Sequence, residues 1–408
     1  MNKISITFFC LSFSSFLLSQ NIKSILLRPI NNPKQYTSIV KLGQSLELSF
    51  DDLDADNKDY YYKIELMTYD WKPSGLISNQ YIDGFDQNLI INVTNSFNSL
   101  QAYTHYTVHI PNSNSIITKS GNYVISVLDE DYETIFKRRC VFYEDKSTVG
   151  LNVLRSRDAS LNQTDQTVQF RVNHPSITLN NPSQEIKASL VQNNDWNTII
   201  ENIPPAFIQN NTLLYNHIDL TNFSGNNEFY FFDTKYARNT SLNISKVERD
   251  TVYNTYLFTD YPKARRSYTY NPDINGQFLI NSKDPNTNDS TTEADYTLIH
   301  FSLAYDTPFK NKKLYVYGGF NNFELSRENR MKYNFKTKTY EASILLKQGF
   351  YNYTYAVVEN DSDINLKEIG GSFFETENEY MALIYYRPIG GIYDRVIGVG
   401  YGIFNQNE

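Results

Sequence analysis

Cysteine is almost missing from this chain. Only two occur in 408 residues, Cys10 and Cys140. Methionine (4) and histidine (5) are also scarce, which argues against a Met-rich adaptable groove or a His-rich metal protein. Glycine (17) and proline (13) are modest, excluding collagen-like and low-complexity material. Basic charge is in deficit: 37 Lys+Arg against 45 Asp+Glu give a formal charge of −8. A nucleic-acid binder needs a basic face to release counterions, so that class is set aside. Beyond the N-terminus there is no apolar run of membrane-spanning length. No segment of twelve or more residues carries the i, i+3, i+4, i+7 spacing of an amphipathic helix.

The N-terminus reads as an address. Lys3 precedes an apolar run, Ile4 to Leu18, broken only by Ser, Thr and Cys10, and Ser19-Gln20 closes it. This predicts a secretory signal peptide over residues 1–20. Its removal leaves Cys140 alone, without an intrachain disulfide. Asn-x-Ser/Thr triplets at Asn92, Asn243 and Asn352 read as chance matches in a chain rich in these residues, and Asn352 falls within an expected strand. A bacterial periplasm fits this pattern best.

Aromatic side chains are abundant, with 33 Tyr and 26 Phe, and favour strands. Alternation with period two dominates. Leu46, Leu48 and Phe50 interleave with polar residues until Asp51-Asp52, which are expected to end the run. Tyr60, Tyr62, Ile64 and Leu66 alternate after an acidic hairpin loop. Further strands are expected at 103–110, 123–128, 135–143, 167–172, 186–191, 213–218, 228–232, 242–247, 256–258, 267–270 and 276–280. A later group covers 296–305, 314–317, 340–346 and 350–358, and 381–386 is expected to close the series before Gly390-Gly391. The fold class is therefore all-β, with three β-sandwich domains of immunoglobulin-like or early-set-like type in series. Their expected bounds are 21–144, 145–292 and 293–408, the polar stretch 281–292 being a linker or exposed loop.

Candidate chemistry is sparse. Asp52-x-Asp54-x-Asp56 has the opening spacing of a calcium loop, but Asn57 stands where that loop needs Gly and Lys63 where it needs Glu. It reads as a solvated hairpin turn. His105 and His109, four residues apart in a strand, lie about 13 Å apart by strand rise and cannot share one zinc ion. Cys140 follows Arg138-Arg139, yet alternates in a strand and reads as a buried thiol. No Gly-x-Ser-x-Gly, Ser-x-x-Lys or His-Glu-x-x-His motif occurs. No catalytic residue, metal site, cofactor or small-molecule substrate is expected.

An ordered set of short motifs is more informative. It runs Asp70-Trp71-Lys72-Pro73-Ser74, Tyr81-Ile82-Asp83-Gly84-Phe85, Ser96-Phe97-Asn98-Ser99, Tyr103-Thr104-His105-Tyr106 and Ser120-Gly121-Asn122-Tyr123. It continues through Asp273-Ile274-Asn275-Gly276-Gln277-Phe278, Lys347-Gln348-Gly349-Phe350-Tyr351-Asn352-Tyr353, Glu375-Thr376-Glu377-Asn378-Glu379-Tyr380 and Tyr385-Tyr386-Arg387-Pro388. Across the mature chain this series resembles the plug-protein family of the type IX secretion system, differing at Phe350, where a Tyr is frequent. The resemblance implies a non-enzymatic periplasmic protein that docks under the outer-membrane translocon barrel and seals its pore while a shuttle partner is absent. Trp71, Tyr81 and Phe85, in one long connection, are candidate partner-binding anchors or a small core beneath that loop. A second likeness is to glycogen- and starch-binding early-set modules, through Leu314–Phe323 and Gly349–Tyr353. Phe323 stands there where a sugar-stacking Trp is usual, so a glycan-binding protein is the alternative reading.

Overall fold

The structure is a computed structural model and describes residues 21–32, 35–285, 287–359 and 363–404. The expected signal peptide lies outside the described residues. The described chain is nearly all β, with three short α-helices of four residues each.

Alternation dictates the elements. Strand Tyr61–Met67 buries Tyr62, Ile64 and Leu66 on one face and turns Tyr61, Lys63 and Glu65 to the other. It belongs to a sheet ordered Ile39–Lys41, Thr134–Tyr143, Gly121–Leu128, Tyr61–Met67, Gln87–Leu89. A second sheet, ordered Ile22–Pro29, Leu46–Asp52, Thr104–Ile110, Asn92–Asn95, packs over it. Leu48, Phe50, Tyr106 and Val108 from one sheet meet Ile64, Tyr123, Ile125 and Phe142 from the other in a single apolar cluster. The acidic loop crosses from one sheet to the other and so makes no hairpin; Asp51 and Asp52, expected to open it, are the last two residues of strand Leu46–Asp52. They lie fully buried there, because their carboxylates find buried partners.

Three of the other sheets of the described residues cross the boundary expected at residue 292. Ile186–Gln192 pairs with Asn378–Tyr386 over seven residues, from Ile186↔Tyr386 to Gln192↔Tyr380. The resulting sheet, Asp195–Ile200, Ile186–Gln192, Asn378–Tyr386, Arg395–Phe404, shares one core with strands Thr148–Arg155, Asp165–Asn173 and Thr212–Tyr215. Between the two halves of this middle unit, residues 230–369 build a separate cluster around Phe232, Ile299, Phe301, Tyr351 and Tyr353. Its sheets centre on Gly349–Val358 and on Tyr296–Ala304 paired with Thr339–Lys347. In this inserted unit residues 281–285 and 287–289 form no strand, Ser290–Glu293 is one of the short helices, and the Thr292 carbonyl accepts from the Phe97 amide at 3.0 Å.

Two strand expectations need correction. Ser267–Tyr270 is irregular, because its tyrosines reach across to carboxylates instead of a neighbouring strand: Tyr268 to Glu228, and Tyr270 to Glu377 at 3.0 Å. Conversely, Arg395–Phe404 is a ten-residue strand that closes the sheet after Gly390-Gly391. Its alternate glycines hid it, since glycine weakens a strand pattern. Their role is close approach: a Cβ at Gly400 would sit 2.6 Å from Leu151 Cδ1 and 2.7 Å from Val149 Cγ1, on the opposing strand Thr148–Arg155.

Gly400→Val should therefore wedge these sheets apart and cost about 1–3 kcal/mol in urea denaturation, as overpacking does. Gly150→Val, where an added Cβ meets nothing within 4 Å, should stay within about 0.5 kcal/mol of the parent.

Candidate functional site

A buried ion pair joins the first unit to the inserted one. Lys347 Nζ lies 2.6 Å from Asp51 Oδ2, with the two side chains 1% and 0% exposed. Tyr296 Oη donates to the same carboxylate oxygen at 2.6 Å, and His105 Nδ1 lies 2.6 Å from Oδ1. The ammonium also donates to the Thr291 carbonyl at 2.6 Å and stands 4.0 Å over the Tyr103 ring. Burial pulls the Lys347 pKa below its ordinary value, and the Asp51 charge works against that.

The other junctions are polar at their centres too. Between the middle and inserted units, Tyr317 Oη donates to Asp195 Oδ2 at 2.6 Å, and Asn197 Nδ2 donates to the Phe323 carbonyl at 2.9 Å. Burial pushes Asp195 up to about 6. Between the first and middle units, Arg139 Cζ lies 4.8 Å from the Trp71 ring centroid and 5.8 Å from that of Trp196. The two indoles meet edge-on at 4.9 Å. Nearby, Asp394 Oδ2 accepts from the Tyr69 amide at 2.9 Å.

The three anchors expected from sequence do not converge. Trp71 adopts φ 58° and is half-buried in the junction with Trp196. Tyr81 is 5% exposed, within the first core, edge-to-face with Tyr123 at 6.0 Å, so its ring faces inward. Phe85 is 71% exposed. It opens a segment that sequence reasoning passed over. Residues 85–97 contain Gln87–Leu89, the edge of one sheet, and Asn92–Asn95, the edge of the other, so they wrap one open side of the sandwich. Ile91 and Phe97 on this segment are 77% and 69% exposed. Open strand edges with bare apolar side chains are natural docking surfaces. The available clue was Leu89-Ile90-Ile91, an apolar run that breaks alternation and leaves Ile91 no inward face.

The acidic groups have structural employment. Lys58 Nζ sits among Asp52, Asp54 and Asp56 at 3.0, 2.5 and 3.3 Å, occupying the place a cation would take. His109 pairs with Glu47 at 3.2 Å, away from His105. Cys140 is fully buried, and burial raises its thiol pKa. Burial also lifts Glu228 to about 7 and Asp260 to about 6, but Tyr268 bonds the first, and Tyr353 and Tyr355 bond the second at 2.7 Å each.

Residues 22–144, the first unit, match the family described as Type 9 secretion system plug protein 1st domain. The chain belongs to the type IX plug-protein family. Membership gives it a role related to type IX secretion and an association with that system. A crystal structure of a hypothetical protein from Parabacteroides merdae ATCC 43184 is similar throughout: TM-score 0.89 and 31% identity over 94% of this chain and 97% of that one. A type II cohesin dyad from the adaptor ScaA scaffoldin of Acetivibrio cellulolyticus aligns over 94% of this chain and 99% of that one, but at TM-score 0.17 and 7% identity. No curated protein matches the sequence. Among the described residues of this plug-family chain, no helix is long and apolar enough to cross a membrane.

Lys347→Met should lose about 3–5 kcal/mol in urea denaturation, because it strands a buried carboxylate. Adding Asp51→Asn to that variant should restore part of the loss. Asp195 has a folded pKa above its ordinary value, so its contribution to stability is present below about pH 4 and is lost as pH rises through about 6. Asp195→Asn should flatten the stability change between pH 4 and 7 by about 2–3 kcal/mol, measured against the parent.

Proposed function

We propose that this chain is a non-catalytic stopper of the periplasm. It docks on the periplasmic side of the outer-membrane translocon barrel and closes the pore while the shuttle partner is absent. A pore wide enough for folded cargo leaks unless a bulky body occupies one end, and this function needs shape and obstruction instead of bond-making. The observation that carries the reading is the exposed apolar margin of residues 85–97, on the unit that matches the plug family. Phe85 remains a contact on this proposal, joined by Ile91 and Phe97. A contact surface of a few apolar side chains between polar strands suits reversible docking.

The glycan-binding alternative receives no support from the rings it would use. Phe323 is 4% exposed, and Trp71 and Trp196 pack against each other and Arg139.

Affinity purification from detergent-solubilised outer membranes tests the proposal. The parent chain should recover the translocon barrel, and Phe85→Asp with Ile91→Asp should reduce that recovery at least tenfold without changing thermal stability. Undiminished recovery with the double variant, or none with the parent, contradicts it. Retention of the parent on immobilised α-glucans would favour the alternative instead.

A further inference from the structure

The three units leave a cavity of about 560 Å³ where they meet. Its walls come from the first unit at Arg28, Trp71, Arg138 and Arg139, from the middle unit at Trp196, and from the inserted unit at Glu324. That volume is typical of small-molecule sites, roughly 300–1,000 Å³. Its charge runs against that of the whole chain. In a protein of formal charge −8, the lining carries three arginines and Lys137 against the single carboxylate of Glu324.

The arginines are poorly compensated. Arg28 Nη2 donates to the Phe278 carbonyl at 2.7 Å, and the guanidinium stacks 5.2 Å from the Tyr36 centroid, with no carboxylate partner among the described residues. Arg138 Nη1 donates to the Lys137 carbonyl at 2.8 Å but stands 3.9 Å from Glu324 Oε1, beyond hydrogen-bond reach. Arg139 lies against two indoles, and its guanidinium makes no hydrogen bond among the described residues. Trp71 lines the cavity, and its Nε1, buried behind the wall, is a donor without an acceptor among the described residues. Burial lowers the pKa of Arg28 and Arg139 and brings Arg138 down to about 10, with Glu324 acting against it at Arg138 and Glu201 at Arg139.

Such a chamber is rich in cationic donors and poor in anionic acceptors. Buried cations and orphaned N–H groups are unfavourable unless an acceptor meets them. Guanidinium forks suit the two oxygens of a carboxylate or phosphate, and aromatic walls suit a flat apolar body. We propose that this cavity binds an organic oxyanion, a carboxylate or phosphate on a flat body, held by Arg28, Arg138 and Arg139 beside the Trp71 and Trp196 rings. The ligand would touch all three units at once. This site is independent of the translocon proposal, because the purified chain alone suffices to test it.

The test is isothermal titration of the purified full chain, at constant ionic strength set with chloride, using four probes. Inorganic phosphate and AMP form the phosphate arm, and citrate and benzoate the carboxylate arm. At least one arm should give saturable binding at one site per chain, with the flat-bodied probe tighter than its compact counterpart. Arg139→Met should weaken that binding at least tenfold, and Glu324→Gln, which removes the competing carboxylate, should tighten it several-fold. The opposite signs separate a specific site from general loss of structure, and Arg28→Met replaces Arg139→Met if the latter fails to fold. Absence of saturable binding by all four probes, or equal binding by the parent and both variants, overturns the proposal.

Discussion

Asp51 and Lys347 lie 296 residues apart in sequence and touch in a place that water does not reach. Removing a carboxylate and an ammonium from water costs several kcal/mol for each ion, and close geometry with further hydrogen bonds must offset it. Here the partners are complete: Tyr296 and His105 finish the carboxylate, while the Thr291 carbonyl and the Tyr103 ring finish the ammonium. Completion requires the first and inserted units to hold one relative orientation, since a displacement of an ångström or two would leave both ions stranded. The pair therefore specifies orientation more than it adds net stability. Asp195 with Tyr317 does the same between the middle and inserted units, with a neutral donor in place of a cation.

The chain connectivity reinforces this constraint. The inserted unit leaves the middle one after Asn222–Ser224 and returns to it at Asn378–Tyr386, so two covalent connections tie it there. The first unit is fastened to both, through Lys347 on one side and through Trp196 and Asp394 on the other. The three units are thus fastened to one another at each junction, around the cavity they line. A stopper must resist deformation while presenting a modest surface for contact. The open side at residues 85–97 belongs to the unit with the family match, and its C-terminal end is tied to the locked residues, through Thr94 paired with His105 and the Phe97 amide on the Thr292 carbonyl.

Much of this was legible from residues. Period-two alternation, as in Tyr62-x-Ile64-x-Leu66, announces strands because one face of each sheet must be apolar. The motif series by itself points to the plug family. Long-range pairing was not legible. Nothing local in Ile186–Gln192 says that its neighbour is Asn378–Tyr386, because both are buried apolar strands able to pair with many others. Arg395–Phe404 escaped because Gly398, Gly400 and Gly402 read as loop residues, although here they let an opposing strand approach. Asp51-Asp52 looked like a turn, since carboxylates are buried only when distant residues supply partners. The lone signal for Lys347 was its place inside a family motif, immediately before a long apolar strand.

The rigidity of this body can be measured as a distance. Spin labels on Glu130→Cys or His109→Cys in the first unit and on Lys332→Cys in the inserted unit, examined by pulsed electron paramagnetic resonance, report the spread of separations in solution. A single narrow distribution for each label pair, broadened when Lys347→Met is added, is the result this account predicts. Broad or two-peaked distributions in the otherwise unaltered chain would mean that the units move freely, and would contradict it.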